Sequence, residues 1–289
     1  MFLISGNLFQ TMHISINGKF YRERNANISV FDHGFLYGDG IFETLRAYNG
    51  KVFKVDEHLE RLFHSAKLVK LDIPLTKAQL KKAIISAIKK NNLKEAYIRL
   101  TISRGKGELR YTMESNPNIT IIAKPFIKYP KSVHEKGVPV ITYNAERVLP
   151  EVKSTSCLPL VLAKSEAAKR GCFDALLIDR RGFITEGTVS NVFFVKNNII
   201  YTPKENILKG ITRGIVIKIA KRIAKIEETR IKKGKIYSFD EVFLTNTSGE
   251  IVPVNRIDGK IIKNAPGIIT KKIMEGFKKE VENYHAKNN

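Results

Sequence analysis

The run "HISINGKFY" places alternating side chains on either side of Asn17-Gly18, a dipeptide that accepts the positive φ of a tight turn, and it predicts a β-hairpin. The device recurs. Asn49-Gly50 punctuates "RAYNGKVFKV", Arg180-Arg181-Gly182 divides "DALLIDRRGFITEG", and "NVFFVKNNIIYTP" folds back on itself. Between the hairpins, the spacing of Leu59, Leu62, Phe63, Ala66 and Val69 predicts a helix from Asp56, with Asp56 as its cap. Further helices are expected after Thr76, over residues 158–169, and through "LKGITRGIVIKIAKRIAK", where Ile215, Ile219 and Ile223 share one face. Hairpins outnumber βαβ units, so the expected class is α+β rather than a doubly wound sheet.

With 289 residues, 43% of them hydrophobic, the chain can bury a large core and divide it between two domains. The prolines and charges of "PFIKYPKSVHEKGVP" break both periods. They set the expected boundaries: an N-terminal domain over 1–127, with 1–11 as an extension and Met12 as an alternative start, a connection over 128–137, and a C-terminal domain over 138–289. The first twenty residues lack a basic region and a long apolar run, which argues against a signal peptide or a membrane span.

The formal net charge of +22 would suit nucleic acid or an acidic ligand, but the basic residues are scattered rather than gathered in a stripe, as on a solvated surface. Two cysteines, Cys157 and Cys172, stand in no metal-ligand spacing, so no metal site is expected and a reducing cytoplasm fits. Neither G-x-G-x-x-G nor a P-loop occurs. His33 and His58 stand isolated.

Four stretches could carry chemistry. Lys153 enters a turn of Ser154, Thr155 and Ser156, where an inward amine can be desolvated and made nucleophilic toward a carbonyl. Glu186 follows a strand and precedes Gly187, where a carboxylate can reach a buried ligand nitrogen. Gly210, Ile211 and Thr212 open a helix whose N-terminal N–H groups can seat a phosphate or carboxylate. Thr245, Thr247 and Ser248 surround a glycine turn that can form a second anion seat. Each has an ordinary reading as an exposed loop or a cap; together they suggest a phosphorylated cofactor.

In order along the chain, "FDHGFLYGDGIFETLRAY", "EHLERL", "YIRLTISRG", "VKSTSCLPLVLAK", "ITEGTVSNVFFV", "LKGITR" and "EVFLTNTSGEIVPV" resemble the class IV (fold-type IV) aminotransferases, enzymes that use pyridoxal 5′-phosphate. The resemblance spans about residues 13–267. It implies a smaller N-terminal α/β domain, a larger C-terminal domain with a strand-rich, barrel-like core, and a cytoplasmic homodimer. It makes Lys153 the catalytic lysine that forms the aldimine with the cofactor, and Glu186 the partner of the pyridine nitrogen. It assigns the phosphate to Arg61, Ile211, Thr212 and Thr247, with Ser248 beside both cofactor and substrate, and it packs Leu208 on the ring. Without it, Arg61 would read as a helix-surface partner of Glu57, four residues earlier.

For substrates, the branched-chain members of the family resemble this chain at Tyr37, Phe42, Arg46, Tyr97 and Arg99, which implies transfer of an amino group from a branched-chain L-amino acid to 2-oxoglutarate. The stretches "FETLR" and "EGTVSN" lie nearer the D-amino acid aminotransferases and the aminodeoxychorismate lyases, which are the alternatives. The loop "GKGELRYTMES" carries Arg110 without the histidine usual in the D-specific enzymes. Outside the class, the charge leaves a nucleic-acid-binding protein as the contrasting expectation.

Overall fold

A computed structural model describes residues 12–114 and 116–287, so the expected extension at 1–11 lies outside the described residues. The chain divides into two compact units, Met1–Phe126 and Ile127–Asn289.

The first unit carries one antiparallel sheet built from β1 (His13–Ile16), β2 (Lys19–Arg22), β3 (Gly40–Tyr48), β4 (Lys51–Val52), β5 (Ala96–Ser103) and β6 (Asn118–Pro125), in the order β2-β1-β6-β5-β3-β4. Its helices are α1 (His33–Tyr37), α2 (Val55–Leu68) and α3 (Lys77–Lys90). Asn17-Gly18 and Asn49-Gly50 each adopt consecutive positive φ, as the hairpin reading requires. Strand alternation then sorts the side chains. Ile41, Leu45, Ile98, Leu100, Ile102 and Ile121 are buried, on the side where α2 packs on β3 and α3 on β6. Thr76 and Gln79 form a reciprocal capping box at the start of α3. The expected cap at the start of α2 is not Asp56. The helix begins one residue earlier, from Lys54 in the left-handed conformation at φ 53°, and it has no side-chain cap. Asp56 sits in the first turn instead and pairs with Lys81 of α3 at 2.8 Å.

In the second unit, the segment expected to be a connection contains a short helix, α4 (Lys131–Lys136). A ten-stranded sheet follows, from β7 (Val138–Asn144), β8 (Asp174–Ile178), β9 (Phe183–Gly187), β10 (Asn191–Lys196), β11 (Ile199–Pro203), β12 (Lys225–Thr229), β13 (Ile231–Lys232), β14 (Glu241–Asn246), β15 (Glu250–Ile257) and β16 (Lys260–Ile261). Its order is β12-β11-β10-β14-β15-β7-β8-β9-β13, with β16 paired to β15. The hairpins β8-β9 and β10-β11 form where expected, while α5 (Leu158–Lys169) and α6 (Ile211–Ala220) join the parallel pairs β7-β8 and β11-β12. These are βαβ units that the hairpin reading did not anticipate. Although β9 and β10 are not neighbours in the pairing order, they pack together. The sheet therefore coils around a single apolar filling that includes Leu176, Ile184, Val192, Phe194, Leu244 and Val252.

Alternation turns Phe193 and Phe243 to the other side of that sheet, where α6 and α7 (Ile268–Lys287) pack on β14. Their rings stack at 5.0 Å with planes 3° apart, and both are fully buried. Helix α6 ends at Ala220, so Ile223 falls beyond it, and its buried stripe runs through Thr212, Ile215, Val216 and Ala220. Ile219 packs on Gly276 of α7, where a Cβ would come within 2.7 Å of its Cγ2. Phe193→Ala should lower the unfolding free energy by about 3–5 kcal/mol in urea titrations, the usual cost of emptying a buried aromatic site. A loss below about 1 kcal/mol would show that the stacked pair is not part of a close-packed core.

Candidate active site

Glu186 is the last residue but one of β9, and it is 2% exposed. A buried carboxylate needs donors. Arg147 Nε donates to Oε1, while the Leu208 N–H at 3.1 Å and Asn191 Nδ2 at 3.2 Å donate to Oε2. Burial nevertheless raises the Glu186 pKa, more than Arg147, the Leu208 N–H and the charge of Lys153 lower it. Lys153 is half-buried and lies close enough to Glu186 for that charge to act.

The turn after Glu186 is fixed from beneath. Asp174, at the start of β8 and fully buried, accepts hydrogen bonds from the hydroxyls of Thr188 and of Ser190, the latter at 3.0 Å. Gly187 is glycine because a Cβ there would lie 2.2 Å from Ser190 Oγ and 2.8 Å from Asp174 Oδ2. On the other flank, Asn191 Nδ2 also donates to the Leu208 carbonyl at 2.8 Å, and Gly210 backs onto Asn191 Oδ1. Gly210 is the N-cap of α6 and supplies no side chain to cap it, so Ile211 and Thr212 open that helix with their N–H groups directed out of its end. Thr247 and Ser248 lie half-buried in the turn between β14 and β15, where the Gly249 N–H closes on Asn246 Oδ1 at 2.6 Å. Two residues earlier, Thr245 faces Asn191 across the β10-β14 ladder, and its hydroxyl is buried without a hydrogen-bond partner among the described residues.

This donor set fits a phosphorylated pyridine. Glu186 offers a carboxylate to a ring nitrogen, the α6 N-terminus offers backbone donors to an anion, and the orphaned Thr245 hydroxyl calls for a polar partner. Arg147, Asp174 and Asn191 escaped the sequence reading. Asn191 was within reach of it, being the asparagine of "SN" that opens a strand; Arg147 was one arginine in an irregular stretch. Arg147 also lines an open cleft of about 1110 Å³ whose lining includes none of the predicted residues.

In the first unit, Phe42, Arg46, Tyr97 and Arg99 share the sheet face opposite α2, because Phe42 pairs with Thr101, Thr44 with Arg99 and Arg46 with Tyr97 across β3 and β5. The Arg99 guanidinium lies 3.8 Å from the Phe42 ring centroid, and its Nε donates to Thr101 Oγ1 at 3.3 Å. Arg46 stacks between Tyr48 at 4.1 Å and Phe126 at 3.8 Å. Tyr37 closes α1 with its ring against His33 and Tyr111.

Arg61 belongs to the opposite, helix-packed face. It grips Glu43 side-on, Nε to Oε1 at 2.8 Å and Nη2 to Oε2 at 2.7 Å, and His58 Nδ1 donates to the same Oε2 at 2.7 Å. The alternative partner, Glu57, pairs with Lys54 at 3.4 Å. A glutamate between Ile41 and Leu45 on the buried side of β3 was the available signal for this cluster, and the isolated-histidine reading of His58 missed it.

These geometries accompany a clear kinship. A family model for class IV amino-transferases matches residues 40–257. A putative branched-chain-amino-acid aminotransferase of Methanocaldococcus jannaschii is 45% identical over 278 residues, covering 92% of this chain and 96% of that protein. A D-alanine aminotransferase of Bacillus licheniformis is 34% identical over 283 residues, covering 96% and 99%. Among solved structures, the branched-chain aminotransferase of Thermoproteus uzoniensis with norvaline superposes with a TM-score of 0.88 at 33% identity, covering 96% of each chain. The chain belongs to the class IV aminotransferases, a mixed α+β family of transferases whose cofactor is pyridoxal 5′-phosphate.

Burial opposes the charge of Glu43, but Arg61 and His58 outweigh it and hold the pKa at about 2, against 4.5 for a free glutamate. A depressed carboxylate pKa adds stability that is present above about 4.5 and is lost as pH falls through about 2. Glu43→Gln should therefore be most destabilising near neutrality, and its gap to wild type should close between these two values. Urea unfolding at a series of pH values measures this, and a gap that stays constant down to pH 2 would refute it.

Proposed function

We propose that the chain moves the amino group of a branched-chain L-amino acid to 2-oxoglutarate. The observation that carries this reading is the Phe42–Arg99 stack: an aromatic face suits an aliphatic side chain, and a guanidinium beside it suits the distal carboxylate of the acceptor. The 45% identity to a protein described as a branched-chain aminotransferase supports the same choice. The 34% identity to a D-alanine aminotransferase makes the D-specific reaction the second reading.

Bound pyridoxal 5′-phosphate supplies a carbonyl to be captured by an amine and an electron sink for the pair left at the substrate Cα. In this reading Lys153 would hold the cofactor through its amine, and the same amine, once freed, would accept the proton that leaves the substrate Cα. Glu186 keeps a proton on the pyridine nitrogen. Burial raises the pKa of this carboxylate despite Arg147, and a cation at the ring nitrogen would further favour its charged form. Ile211 and Thr212 at the α6 N-terminus, with Thr247 and Ser248, would hold the phosphate, and Leu208 would pack on the ring. Arg61 is assigned to the phosphate, and Tyr37, Arg46 and Tyr97 to the substrate, from the family pattern alone. We further propose that the enzyme works as a homodimer in the cytoplasm, the cellular setting that suits two free cysteines. Among the described residues no helix is long and apolar enough to cross a membrane.

Lys153→Ala should abolish both half-reactions, and the protein should gain no visible absorption band on addition of pyridoxal 5′-phosphate. A Lys153→Ala enzyme that keeps measurable turnover would remove lysine from the mechanism. Arg99→Leu should raise KM for 2-oxoglutarate about ten- to a hundredfold, the cost of one charge-assisted contact, and leave KM for L-leucine within a few fold. Keto-acid release assays with L-leucine and D-alanine test the substrate class directly: turnover of D-alanine alone would replace the first reading with the second.

A further inference from the structure

We propose that Asn191 is a positioning residue of the cofactor site, locking Glu186, the Leu208–Gly210 segment and the start of α6 into one unit. The role rests on the aminotransferase reading of Glu186 given above. Asn191 is the first residue of β10 and is 5% exposed. Its Nδ2 meets two acceptors, Glu186 Oε2 at 3.2 Å and the Leu208 carbonyl at 2.8 Å, so the amide orientation is fixed by chemistry: only the NH2 group can serve both. The Oδ1 end consequently faces Gly210, where a Cβ would come within 2.2 Å of it. One planar group thus ties a strand end, a loop and a helix cap. Any side chain at 210 would push on it.

The consequence reaches the carboxylate. Glu186 Oε2 receives Asn191 Nδ2 and the Leu208 N–H, which uses the two acceptor directions of that oxygen. The direction left for a ring nitrogen is on Oε1, the oxygen that Arg147 also holds. Asn191 therefore selects which oxygen, and which edge of the carboxylate, meets the cofactor. It also adds a neutral donor to a charge that burial disfavours, without placing a second cation near the pyridinium. Aspartate has the same size but no donor. At this position it would set a second carboxylate against Glu186 and a carbonyl, and a proton shared between the two carboxylates would compete with the one on the ring.

The test compares wild type, Asn191→Asp, Asn191→Ala and Glu186→Gln. Apoprotein is titrated calorimetrically with pyridoxal 5′-phosphate, and the protonation of the pyridine nitrogen is followed by NMR with 15N-labelled cofactor across pH. Wild type should keep the nitrogen protonated at neutral pH. Glu186→Gln and Asn191→Asp should lose that protonation, and Asn191→Ala should lose it at a lower pH than wild type does. Each Asn191 variant should bind the cofactor about tenfold more weakly, one charge-assisted hydrogen bond being at stake, with kcat falling while KM for the amino acid changes little. Asn191→Ala decides the matter if Asn191→Asp does not fold. A lower melting temperature with wild-type protonation in both Asn191 variants would assign Asn191 a structural role only and overturn the proposal. Wild-type protein that takes up no cofactor would overturn the reading of the site itself.

Discussion

A carboxylate taken out of water must be given donors or a proton, and in each unit the candidate site residues are arranged around one such group. Glu43 and Glu186 are both almost completely buried, at 0% and 2% exposure, yet burial has opposite outcomes. Glu43 faces two basic side chains, Arg61 side-on and His58 on the same oxygen, and its pKa falls to about 2. Glu186 faces one arginine, one amide and one backbone N–H, and its pKa rises. Glu43 is held by two basic side chains whose combined pull exceeds the cost of burial, whereas at Glu186 burial outweighs Arg147 and the charge of Lys153.

The framework around these two groups follows from local sequence rules. Asn-Gly turns, the Thr76–Gln79 capping box and strand alternation explain how β3 can present Phe42 and Arg46 on one side while sending Glu43 to the other. Small residues then set the close approaches. Gly187 makes room for Ser190 and Asp174, and Gly210 for Asn191, so the N-terminal end of α6 and the Glu186 turn are brought together by the absence of side chains as much as by their presence.

This also explains what was legible beforehand and what was not. Hairpins at Asn17-Gly18 and Asn49-Gly50 and the limits of α5 came from local signals, and the family from ordered motifs. The parallel pairs β7-β8 and β11-β12 did not, because a parallel ladder is written in contacts between strands more than twenty residues apart and leaves no turn signature. Arg147 lies 39 residues from Glu186, and Asn191 joins Leu208 across 17, so neither partnership has a local pattern. Glu43 was the exception that could have been read: a charged residue on an apolar strand face announces a buried partner. Asp56 shows the reverse error, a good capping residue displaced because Lys54 in the left-handed conformation starts α2 earlier.

The basic composition looks different once burial is known. Among the described residues, the buried basic side chains apart from histidine are arginines, Arg46, Arg104 and Arg213, and no lysine falls in that class. Arg104 shows why. It binds both oxygens of Asp39 and also the carbonyls of Val69 and Lys70 at the end of α2, four acceptors that a single ammonium could not satisfy in that geometry. Lysine is strongly hydrated and is therefore left at the surface, which is where a scattered charge of +22 belongs. Against that background, half-buried Lys164 lies 3.7 Å from the buried Asp174, and half-buried Lys153 places its charge near enough to lower the pKa of the buried Glu186. Arginine could fill that place as a charge. It could not give up its proton, as the amine would have to in the proposed reaction.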